Sequence, residues 1–68
     1  MIEVFKTNVD DDKKAGLLTA LYKQFPELRI NFDLEDCDRI LRVQGENVLI
    51  ERIVQLLNDH DCFCEPLE

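Results

Sequence analysis

A single rhythm occurs twice along this chain: an extended apolar run, an amphipathic helix, then another extended apolar run. Residues 2–9 read as strand, 10–25 as helix and 28–34 as strand; 39–44 read as strand, 47–59 as helix and 62–67 as strand. Two strand–helix–strand units in 68 residues nearly dictate the architecture, because both helices must cover the same small sheet.

The local signals agree with that reading. Ile2 to Val9 is rich in β-branched and aromatic residues. Asp10-Asp11-Asp12 supplies an N-cap and negative charge at the positive end of a helix dipole. Leu17, Leu18, Leu21 and Phe25 form one apolar helical face, Gly16 suggests close packing on the sheet, and Pro26 ends the helix. The second strand alternates, with Ile30, Phe32 and Leu34 on one face and Arg29, Asn31 and Asp33 on the other, as expected of an antiparallel sheet covered on one side. Leu41 and Val43 point inward from the third strand. Asn47 is the expected N-cap of the second helix, which turns Val48, Leu49, Ile53, Leu56 and Leu57 toward the sheet. Pro66 requires an edge or a terminus.

Right-handed crossovers and a central hairpin then predict an α+β fold, ferredoxin-like βαββαβ: a four-stranded antiparallel sheet of order 4-1-3-2 under two helices. Residues 1–68 form a single domain. The terminal Leu67-Glu68 matches a dipeptide that expression vectors often leave.

Fifteen acids against eight bases give a net charge of −7, which argues against a nucleic-acid backbone as ligand and suits a basic protein partner or a cation. No run is long enough for a membrane span, and Met1 leads straight into strand residues, so a cytoplasmic location is expected. Three cysteines (Cys37, Cys62, Cys64) cannot all pair within the chain and read as free thiols of a reducing compartment. No nucleophile–base pair, glycine-rich phosphate loop or spaced carboxylate pair is present, so an enzyme is not expected.

Topology adds what composition lacks. It carries Asp10, Asp11, Asp12, Glu35, Asp36, Asp38, Asp59 and Asp61, eight of the fifteen acids, to one end of the molecule together with His60 and Cys37. The triple aspartate lacks the spaced oxygens and bend glycine of a calcium loop and reads as a cap. Cys62-Phe63-Cys64 is either a pair of buried thiols or, with His60 or Cys37, a metal site for copper or zinc; Cys-x-Cys with one histidine is an unspecific signal. Alternation suggests Phe5, Ile40 and Phe63 on the open sheet face, although both faces of the first strand carry apolar residues; the three are either a patch for dimerisation or docking or a small apolar patch softened by Lys6 and Arg42.

From Ile2 to Leu67 the chain resembles a heavy-metal-associated domain, the small module of copper chaperones and metal-transporting ATPases. The resemblance rests on the element lengths, on RINFDLEDCDRILRVQGE at the hairpin and on VLIERIVQLLNDHDCFCEPL at the final helix and strand. It is closer still to a group of short uncharacterised bacterial relatives that share FKTN and LEDCDR. The resemblance implies the same βαββαβ fold and, in metal-carrying members, two cysteines two residues apart after the first strand, holding Cu(I). Here that loop is Asn8-Val9-Asp10-Asp11-Asp12-Lys13-Lys14, without a cysteine, so no metal ligand carries over and protein-partner binding becomes the expected role, with no cofactor. The resemblance also implies that Cys62 and Cys64 occupy positions packed toward the helices.

Overall fold

The computed structural model of the chain describes residues 1–35 and 37–67. Its elements are β1 (Ile2–Thr7), α1 (Asp11–Gln24), β2 (Arg29–Asp33), β3 (Ile40–Gln44), α2 (Ile50–Asp59) and β4 (Cys64–Leu67). The strands form one antiparallel sheet of order β2-β3-β1-β4, the ferredoxin-like arrangement. Both helices pack on one face, where Phe5, Leu17, Leu21, Leu41, Val43, Ile53 and Leu57 are sealed from solvent. No helix among the described residues is long and apolar enough to cross a membrane.

The elements are shorter than the sequence patterns because buried loop residues extend the apolar runs. Val9 is fully buried but belongs to the loop after β1, where its N–H donates to Thr7 Oγ1 (3.2 Å). Cys62 likewise precedes β4: its N–H donates to the Leu57 carbonyl (2.9 Å), and Asp61 takes a positive φ of 61° to turn the chain out of α2. Asp10 does cap α1, its carboxylate accepting from the Lys13 N–H at 3.2 Å.

Several expectations are corrected. Asn47 does not cap α2; Leu49 holds the cap position without a side-chain bond, and Leu49 is exposed rather than turned to the sheet. A Cβ at Gly16 would meet nothing within 4 Å beyond its own helix, so Gly16 marks no close packing. The glycine that does is Gly45, where a Cβ would collide with the Leu28 side chain.

The largest correction concerns β1. Phe5 is opposite Leu41 and is fully buried on the helix side, so it is not on the open face. Both faces of β1 carry apolar residues, and parity follows only from register. Ile40 does stand on the open face, but Lys6 and Asp33 flank it across the sheet and its exposure is 8%. Phe63 is exposed, outside β4. The three therefore form no patch.

Hydrogen-bond parity also explains the sheet's two edges. Gly45 N–H donates to the Met1 carbonyl (3.0 Å), so odd-numbered residues of β1 direct their backbone groups at β3 and even-numbered ones at β4. Pro66, opposite Phe5, therefore faces its missing N–H outward and loses no ladder bond. At the other edge the outward groups of Ile30 are both taken by Tyr22 of α1, whose hydroxyl donates to the Ile30 carbonyl (2.9 Å) and accepts from its N–H (3.0 Å). Each edge thus carries a device that blunts strand addition.

Candidate functional site

The end of the molecule where β1 finishes, α1 starts, β2 turns into β3 and α2 passes into β4 collects the acids expected there. Asp36 lies outside the described residues; Asp10, Asp11, Asp12, Glu35, Asp59 and Asp61 are exposed, and Asp38 is half-buried. Asp11 and Lys14 of α1 share one shallow depression with Asp33 and Glu35 from the end of β2, and Asp12 and Lys13 share a second with His60.

Backbone bonds fix these segments to one another. Thr7 N–H donates to the Asp38 carbonyl (3.1 Å), and Thr7 Oγ1 donates to the Arg39 carbonyl (2.6 Å). Arg39, at a positive φ of 48°, returns its guanidinium Nη1 to the Val9 carbonyl (3.0 Å) and ties the hairpin to the loop before α1. Phe63 N–H donates to Asn8 Oδ1 (2.7 Å), which joins the start of the β4 segment to the same loop. An ion pair at this end, Lys6 to Asp38 at 3.7 Å, joins two half-exposed side chains and adds little stability. The arrangement is an acidic surface on a braced backbone, with Lys13, Lys14 and Arg39 interspersed.

The cysteines divide between the core and this end. Cys62 and Cys64 belong to the hydrophobic core, 4% and 7% exposed, whereas Cys37 is exposed in the hairpin; all three are free thiols. Burial first, and the neighbouring Cys62 second, push the Cys64 thiol up to about 12. Cys62 Sγ lies 3.5 Å from the His60 carbonyl, the geometry of a protonated thiol donating a weak bond. His60 Nδ1 is 2.9 Å from the Leu56 carbonyl, which can only accept, so that nitrogen carries the proton and is closed to a metal. Among the described residues no group of three or more histidine, cysteine, aspartate or glutamate side chains is placed to hold a metal ion. A soft cation needs accessible thiolates. The donor set here, two core thiols of which one is strongly held neutral, does not fit one.

Two features escaped the reading of the sequence. Tyr22 lies off the apolar face of α1, and its bond to the β2 edge depends on how α1 lies on the sheet. On the open face, Arg29 and Asn31 of β2 stand opposite Gln44 and Arg42 of β3, four exposed polar side chains in a block. The alternation of β2 signalled half of this block; the other half needed the β2–β3 register.

Comparison with known proteins finds no matching family model, no matching curated protein and no matching solved structure.

Proposed function

We propose that this protein is a non-enzymatic binding module, similar in scaffold to heavy-metal-associated domains, that docks a basic protein partner on its acidic end. The observation that carries this reading is the convergence of three chain-separated acidic segments, Asp10–Asp12, Glu35 with Asp38, and Asp59 with Asp61, on one braced end of the fold. Their carboxylates are largely exposed, and with net charge −7 they set a field that attracts and orients a cationic surface. The loop that would carry metal cysteines in a heavy-metal-associated domain is here part of that surface, so the position used for cargo in such domains would serve a partner in this one. Free thiols, two of them buried, suit a reducing cytoplasm.

The test is affinity capture with the full chain at low and at moderate ionic strength, in parallel with a variant carrying Asp11→Asn, Asp12→Asn, Asp59→Asn and Asp61→Asn. Asp10 is left in place because it caps α1. The reading expects a captured protein that moderate salt releases and that the variant does not hold. Capture that survives both salt and the four substitutions would show that another surface binds. Capture of nothing at any ionic strength would refute the docking role.

A further inference from the structure

On the uncovered face of the sheet, two arginines stand on neighbouring strands with no carboxylate paired to either among the described residues. Arg29 pairs across the ladder with Gln44, and Asn31 pairs with Arg42, so the two guanidinium-bearing positions are diagonal neighbours and the two amides fill the other diagonal. Diagonal positions on an antiparallel pair are roughly 7–8 Å apart at the backbone, within reach of long side chains. All four residues are exposed and line one depression at the β2 edge, beside Tyr22.

This chain has carboxylates to spare, fifteen acids against eight bases, yet none of the four side chains has a hydrogen-bond or ion-pair partner among the described residues. The nearest candidates do not engage. Asp33 is the next open-face residue of β2, opposite Ile40, and Glu27 and Glu46 line the neighbouring depression with Arg29 and Gln44; no ion pair within 4.0 Å forms with any of them. The Tyr22 hydroxyl is already committed to Ile30, so it braces the rim without competing for a ligand. The result is two like charges on diagonal positions of the ladder, with an amide at each of the other two positions.

We propose that Arg29, Asn31, Arg42 and Gln44 form a binding site for a phosphate dianion. Charge selects the class: two guanidinium groups are neutralised by one doubly charged phosphate, whereas a carboxylate neutralises one and leaves the repulsion in place. Geometry agrees, because guanidinium forks donate paired bonds to phosphate oxygens and the amides of Asn31 and Gln44 supply neutral donors for the rest. The site lies on the sheet face, away from the acidic end, and stands or falls independently of the docking role.

The experiment is a titration of the 15N-labelled full chain with inorganic phosphate at constant pH, against sodium chloride at matched ionic strength. Saturable shifts are expected at Arg29, Asn31, Arg42 and Gln44, including the arginine Nε–H signals. Arg29→Gln and Arg42→Gln each weaken binding about tenfold, the scale of one lost charge-assisted hydrogen bond. Both positions are exposed, so an unchanged spectrum elsewhere shows that the variants fold. O-phosphoserine added in place of inorganic phosphate tells whether a phosphate monoester is held as well as the free ion. Shifts that never saturate, that persist in both variants or that centre on the N-terminus of α1 would overturn the proposal. So would acetate binding as tightly as phosphate, since the preference for a dianion would then be absent.

Discussion

The Tyr22 hydroxyl holds both backbone groups of Ile30, donating to its carbonyl at 2.9 Å and accepting from its N–H at 3.0 Å. One side chain from α1 thereby takes the place of a neighbouring strand at the β2 edge. Tyr22→Phe keeps the ring and removes only the hydroxyl. It is expected to cost about 1 kcal/mol, since water replaces the lost bonds at this exposed position. Hydrogen exchange of the Ile30 amide is the direct readout. It accelerates in the variant if the latch is real and is unchanged if the hydroxyl is idle.

The thiols give a second test. Cys37 is exposed while Cys62 and Cys64 sit in the core, so a thiol reagent should modify one cysteine in the native protein and three in denaturant. Cys64 is pushed from 9.0 to about 12 in the fold, so its neutral thiol contributes stability that is whole below about pH 9 and is lost as pH rises toward 12. Urea midpoints measured across that range should fall for the wild type and fall less for Cys64→Ala. Rapid native reaction of all three thiols would place the cysteine pair at the surface and reopen a metal role.

Two glycines should respond in opposite directions to the same substitution. Gly16 lies inside α1 with open space around it, so Gly16→Ala gains about 0.5–1 kcal/mol from helix propensity. Gly45 lies against the buried Leu28 side chain, and Gly45→Ala costs about 1–3 kcal/mol as that side chain is displaced. Chemical denaturation of the two variants measures both signs.

The orientation of β1 is tested by Phe5→Ala and Phe63→Ala. Truncating the fully buried Phe5 should cost about 3–5 kcal/mol, a large share of a small domain's stability. Truncating Phe63, 46% exposed, should stay within about 0.5 kcal/mol. Equal losses would contradict the register of β1 against β3.

These cases also show where the sequence was readable and where it was not. The alternation of Ile30 and Phe32 against Arg29, Asn31 and Asp33 reads directly, because only one face of β2 is apolar. In β1, Ile2 and Val4 compete with Phe5 for the core face, and nothing local decides between them; the pairing of Phe5 with Leu41 does. The apolar runs overshoot β1 and β4 because Val9 and Cys62 are buried in loops, where burial and strand geometry part company. The acidic end was legible because it depends on topology alone, on which loops share an end. The Arg29–Asn31–Arg42–Gln44 block was not, because it depends on register across two strands.

The docking role of the acidic end is tested most directly by amide shift mapping of the labelled chain on addition of the captured partner. The account predicts perturbations confined to residues 8–14, Glu35, residues 37–39 and residues 59–63, reduced when Asp11, Asp12, Asp59 and Asp61 are changed to asparagine. Perturbations centred on the open face of β2 and β3, with the acidic end silent, would contradict it.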